Sequence, residues 1–334
     1  MIAYFLLTYA FSWALWIPIQ PLVLDGHVAL LPLISLGIFG PALVAIALSA
    51  IINPRPREGN RNRATITFIV VWIISALIIV SYYVISEQID ITPLLVIISG
   101  VTALLPAFVV SSFFSSIPGI KNLLATYRPR GAPGYYLLAL VLFPMIWLLG
   151  ILVSRALGME VPVSNYFTLD IKLIMIIPLF FLMNCIHGGL SEEPGWRGFA
   201  LPRLQARSSP LVASLILGVF WAVWHAPARF GGIEAKSLID TLIEWVLILF
   251  VTVIFTWFYN RTEGSILAPA LLHASMNITG VFLPGSLGAL ILILACMVFF
   301  IFLDRMWQRL PSENPAIISP LKPSSKSSNS SDTI

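Results

Sequence analysis

Three short polar groups interrupt an otherwise apolar C-terminal half, and their residue types suit hydrolysis. Glu192 and Glu193 are followed four residues on by Arg197, Trp221 by His225, and His273 by Asn277. Residues four apart share one face of a helix, whereas neighbours diverge by about 100°. Glu193 can therefore pair with Arg197, which leaves Glu192 free. Taken alone, each group has a structural explanation: a wet interfacial turn, a helix-end histidine beside anchoring tryptophans, and hydrogen-bonding glue between helices. Together they supply a carboxylate base, two imidazoles, an amide and an arginine. Attack of water on an amide needs a base and groups that stabilise the developing oxyanion. Glu192 suits the base, and His225 a second water ligand or proton shuttle. His273 and Asn277 could hold the water or the oxyanion.

Elements that carry these residues must cross a membrane. The chain has 334 residues, 58% hydrophobic and 10% charged, with a mean hydropathy of +0.94. That is far from the roughly 25% charged residues of soluble domains. Backbone in lipid must satisfy its own hydrogen bonds, and no strand-like alternation appears, so an all-α polytopic transmembrane helix bundle is expected. Apolar runs place about ten spans (range eight to ten) at 2–20, 29–52, 65–86, 92–115, 134–154, 171–187, 210–226, 238–259, 265–282 and 286–303. The first reads as a retained helix, because it lacks a basic leader and a small-residue cleavage pattern. Residues 1–310 form one integral membrane domain with a catalytic core at about 170–283, and the polar stretch 311–334 reads as a disordered cytoplasmic tail.

With both termini cytoplasmic, 15 of the 19 basic residues fall on the cytoplasmic side. Only Arg155, Lys172, Arg229 and Lys236 remain outside, an asymmetry that supports a multi-pass cell-membrane protein in this orientation. The scattered basic residues make no nucleic-acid patch. Cys185 and Cys296 lie within apolar segments and read as packed thiols, with no disulfide framework implied. His187 reads as a helix-terminal structural residue, and Asp240 and Glu244 as bystanders within reach of Lys236.

Gly188-Gly189 and Pro194 predict a break, followed by a second helix from about Pro194 to Gln205 with Ser191 or Glu193 near its cap. Depth then poses a problem. His225 lies about 15 residues, or roughly 23 Å, beyond Pro210, and His273 only about 12 Å beyond Ser265. For both to meet Glu192, the segment carrying Glu192 must enter the membrane, or the loop 260–264 must sit deep.

In this order on successive helices, Glu192-Glu193-x-x-x-Arg197, an aromatic-x-x-x-His225 and His273-x-x-x-Asn277 resemble the CPBP family of CAAX proteases and bacteriocin-processing enzymes, also called Abi. The resemblance covers about residues 170–283. It implies an intramembrane endopeptidase in which Glu192 activates water, Glu193 is paired to Arg197, and His225, His273 and Asn277 complete the site. The implied substrate is a small or lipidated CAAX-like peptide or membrane protein, cleaved on the cytoplasmic side. Trp221 stands where the family often has phenylalanine, and either ring packs similarly. Pro194 directly after the acidic pair leaves the direction of Glu192 open. The cofactor is either none or a divalent metal such as zinc, for which His225, His273 and Glu192 are the candidate ligands. Two other classes share these features: a transporter or channel lined by intramembrane charges, and a non-catalytic immunity or adaptor protein on the same scaffold. A transporter would spread polar residues through both halves, and the first five spans have almost none.

Overall fold

The computed structural model describes residues 1–54, 60–161 and 171–317, and every regular element among them is helical. Among the described residues, six helices are long and apolar enough to cross a membrane: α1 (Ile2–Leu24), α2 (Val28–Ile52), α3 (Arg61–Ile85), α4 (Pro93–Phe114), α5 (Gly134–Ala156) and α8 (Leu238–Arg261). Helix α6 (Ile171–Asn184) is 14 residues long. Helices α7 (Pro210–Trp224), α9 (Leu267–Phe282) and α10 (Leu287–Leu303) are apolar but shorter. Six of the ten expected spans thus have the full length. Helix α3 exposes Ile66, Ile69, Ile73 and Leu77, an outward apolar stripe suited to lipid rather than water.

Two of the spans are broken. Helix α2 is interrupted at Phe39, and α4 at Ala103. Trp16 of α1 donates to the carbonyl of Ile34 (2.8 Å), and a side chain at Gly37 would collide with that indole. Small residues at such crossings let helices approach closely where no hydrophobic drive separates protein from lipid. In the C-terminal half, α7 packs along α8, and α9 and α10 both pack on α5.

The basic residues Arg55, Arg57, Lys322 and Lys326, and most of the expected tail, lie outside the described residues. Of the expected tail 311–334, residues 311–317 are described. Residues 311–317 form turns against the bundle, with Ala316 buried and its carbonyl accepting from the Gln205 amide (3.2 Å).

Candidate functional site

The acidic pair lies in neither a surface turn nor a regular helix. From Cys185 to Ala200 the backbone winds in two wide π-type turns, Cys185–Leu190 and Pro194–Ala200, joined by Ser191, Glu192 and Glu193. The expected second helix does end at Gln205, but it begins in this wide form, and Glu193 contributes no side-chain cap. The carbonyls freed by the irregular winding find partners elsewhere: Ser191 accepts from Ala42 N–H (3.0 Å), and Gly189 accepts from the Tyr127 hydroxyl. Such bonds make broken backbone tolerable inside a bundle.

Two glycines permit this path. A Cβ at Gly188 would sit 2.8 Å from the His273 ring, and one at Gly195 would sit 2.5 Å from the Pro41 carbonyl. The segment thereby reaches the bundle interior, where Glu193 and Arg197 are fully buried and Glu192 is 6% exposed. This resolves the depth problem: the Glu192 segment enters the bundle, so the hydropathy boundary near 188 marks no exit from it.

Each member of the acidic pair has different partners. Glu193 Oε1 accepts from Arg197 Nη1 (3.0 Å) and from His273 Nδ1 (2.8 Å). The Arg197 guanidinium lies over the neighbouring rings of Trp221 (4.5 Å) and Phe255 (4.4 Å). Those two aromatic faces accommodate a charge that makes only one side-chain hydrogen bond in the interior. Glu192 Oε2 accepts from the indole N–H groups of Trp196 (3.1 Å) and Trp221 (2.8 Å). Its Oε1 faces His273 Nε2 across 4.0 Å.

Trp221 therefore does what phenylalanine could not, and the expected equivalence of the two rings fails on the indole donor. Trp196 was missed as a site residue altogether. The signal was present, since it lies four residues after Glu192 on a buried segment.

The histidines are oriented by their second nitrogens. The His273 ring packs edge-to-face on Trp221 and Phe255, and Glu193 as acceptor places the proton on Nδ1. His225 ends α7, with Nδ1 beside the Trp221 carbonyl (2.9 Å), an acceptor that likewise requires N–H at Nδ1. Pro227 kinks the chain into a short helical turn, Ala226–Arg229. In both rings Nε2 is left to act as an acceptor.

Glu192, His225, His273 and Asn277 line one cavity of about 510 Å³, together with His187 and Trp221. Glu193 and Arg197 lie behind it, buried. Glu244, read as a bystander, also borders this space and is held by Arg229 (2.6 and 2.7 Å) and Lys236 (2.9 Å). Asp240 is instead bonded to Ser237 at the start of α8.

Among the described residues, no three His, Cys, Asp or Glu side chains come together as a metal-binding group. His273 Nδ1 is already committed to Glu193, and its Nε2 stands 4.0 Å from Glu192. The carboxylate behind His273 Nδ1 orients the ring equally for a water or for a metal ion, and the chemistry considered below uses the side chains themselves.

The segment that carries the site is similar to known proteins. Residues 174–279 match the family described as Type II CAAX prenyl endopeptidase Rce1-like, which includes all three motifs. The chain is 30% identical over 149 residues to CAAX prenyl protease 2 of Methanococcus maripaludis, a match covering 41% of this chain. It spans about half (52%) of that relative's length. The family match lies in the C-terminal segment that carries the three motifs, and it is there that the chain is similar to CPBP proteases.

Proposed function

We propose that the protein is an intramembrane endopeptidase that hydrolyses a peptide bond in a small or lipidated peptide or a membrane protein, with Glu192 as the base. The observation that carries this reading is the 4.0 Å gap between Glu192 Oε1 and His273 Nε2 at the cavity wall. Two acceptors at that separation are too far apart to bond directly and well placed to share one water. The two indole donors occupy Oε2 and so direct Oε1 at that water.

In this mechanism Glu192 Oε1 takes a proton from the water while its oxygen bonds to the scissile carbonyl carbon. His273 Nε2 accepts the water's second hydrogen bond and aims the lone pair. Glu193, held by Arg197, keeps the imidazole in that tautomer, the orienting role a carboxylate commonly plays behind a catalytic histidine. The Asn277 amide donates to the oxyanion. The proton on Glu192 passes to the leaving nitrogen, directly or through His225 Nε2, as the C–N bond breaks. Water is consumed, and a carboxylic acid and an amine are formed.

Purified protein in detergent, incubated with a library of peptides, tests the proposal by mass spectrometry of the products, with and without a strong chelator. Cleavage that survives the chelator is the expected result. Absence of any cleavage would reject the peptidase reading, and chelator-sensitive cleavage would reject the metal-independent mechanism.

A further inference from the structure

Two ring nitrogens at the cavity are left without partners. His187 and Trp147 both line it, and His187 Nε2 and Trp147 Nε1 are buried with no hydrogen bond among the described residues. A buried polar group without a bond costs free energy, so such atoms mark a place that a bound group can complete. Arg229 Nη1, at the same cavity, also lacks a hydrogen bond, but it is ion-paired with Glu234. The chemistry of the two rings is complementary. An indole nitrogen can only donate, whereas one nitrogen of a neutral imidazole accepts.

The elements that carry these rings also hold the catalytic groups. Pro144 lies inside α5 and cannot donate to the Leu140 carbonyl, which instead accepts from the Ser275 hydroxyl (2.6 Å). That bond ties α5 to α9 close to Asn277. Trp147 follows Pro144 by one turn and packs edge-to-face on buried Phe143 (5.9 Å). His187 sits on the wide turn that leads to Glu192: its carbonyl accepts from the Ser191 hydroxyl, and the adjacent Gly188 abuts the His273 ring. A helix-terminal structural role, expected from the sequence, would bond the imidazole within the fold, yet its Nε2 has no partner. Gly280, on the α9 turn after Asn277, borders the same cavity, and a Cβ there would meet nothing within 4 Å. The wall beside Asn277 therefore leaves room for a second chain.

We propose that His187 and Trp147 form a subsite for the substrate's main chain, in which the Trp147 N–H donates to a peptide carbonyl beside the scissile bond and His187 Nε2 accepts from a nearby peptide N–H. The proposal rests on the peptidase reading and deepens it by naming what holds the substrate. Main-chain bonds give affinity without selecting side chains. A helix spends its N–H and C=O groups internally, so the subsite takes an extended segment, and a helical substrate must unwind there.

Steady-state kinetics on one cleaved peptide test the subsite. Trp147→Phe keeps the ring and removes the donor, His187→Leu removes the acceptor, and His187→Gln retains one. KM is expected to rise about three- to tenfold in Trp147→Phe and in His187→Leu, the effect of one lost hydrogen bond, with kcat within about twofold and His187→Gln close to the wild type. Methylating the peptide nitrogens one at a time blocks single main-chain N–H groups. At the position that His187 contacts, methylation should raise KM for the wild type and add nothing in His187→Leu. Packing alone would instead give losses that add at every methylated position. Such additivity, an unchanged KM in either variant, or a loss confined to kcat overturns the proposal. Trp147→Phe, which keeps the contact with Phe143, decides by itself if His187→Leu does not fold.

Binding is read separately from cleavage in Glu192→Gln, through the fluorescence anisotropy of a labelled peptide. Adding Trp147→Phe or His187→Leu to that variant should weaken Kd about three- to tenfold. An equal Kd overturns the subsite and leaves the peptidase reading standing. Binding that weakens as expected, in a protein whose wild type cleaves no peptide, upholds the subsite and rejects the peptidase reading. A protein that neither binds nor cleaves any peptide overturns both.

Discussion

Removing the Arg197 charge should separate what holds the site together from what does chemistry in it. Arg197 and Glu193 are both fully buried, and the 3.0 Å bond between them is the sole charge pairing of Arg197 among the described residues. Deleting one partner of a buried ion pair costs about 3–5 kcal/mol, because the other charge is left unpaired. At roughly 2–4 °C per kcal/mol for a large domain, Arg197→Met should lower the unfolding midpoint by roughly 10 °C. Glu193 would then have only His273 as a counter-charge, 2.8 Å away. A proton drawn onto His273 would occupy Nε2 and deprive the water of its second acceptor, so activity should vanish as well. The double variant Glu193→Gln/Arg197→Met removes both charges and keeps an oxygen for His273 Nδ1–H. Replacing a whole buried pair with neutral groups is often nearly neutral for stability. The double variant should therefore melt close to the wild type and be more active than Arg197→Met alone. Thermal unfolding in detergent, followed by tryptophan fluorescence beside a peptide-cleavage assay, reads both. A midpoint for Arg197→Met within about 2 °C of the wild type would refute the reasoning, since the lost pairing should cost several kcal/mol. So would a double variant that melts as low as the single one.

Three further substitutions probe the site around this pair. Trp221→Phe keeps the ring but removes the 2.8 Å donor to Glu192. A hydrogen bond to a charged group contributes about 1.5–3 kcal/mol, so kcat/KM should fall roughly 10–100-fold, and unchanged kinetics would exclude the orienting role of the indole. Gly188→Ala places a Cβ 2.8 Å from the His273 ring, and pushing the imidazole off Glu193 should cost about 100-fold in kcat; a neutral outcome would show that the ring position is not critical. Asn277→Ala should lower kcat by about 10²–10³ with KM little changed, as for loss of an oxyanion donor, whereas an effect on KM alone would make Asn277 a substrate-binding residue.

Much of this was legible in the sequence because the signals were local. The i, i+4 spacing foretold the Glu193–Arg197 pair, and apolar runs located the helices of the bundle to within a few residues. What was not legible depends on contacts between distant segments. The wide turns from Cys185 to Ala200 exist because Gly188 and Gly195 abut His273 and Pro41, neighbours that hydropathy does not reveal. For the same reason the segment read as leaving the bundle near residue 188 instead carries Glu192 into it. The indole donors were hidden in residues that packing alone seemed to explain, and the pairing of Trp221 with Glu192 joins positions 29 apart.

The central claim is that Glu192 is the base. Glu192→Gln keeps the shape of the side chain and an oxygen that can accept from Trp196 and Trp221, but it can no longer take a proton from water. The most direct measurement is single-turnover peptide cleavage by the purified variant, with its unfolding midpoint recorded alongside. A fall in rate of about 10²–10⁴ with an unchanged midpoint is the predicted result. Cleavage by Glu192→Gln at a rate within about threefold of the wild type, far short of the loss expected for a missing base, would contradict the account.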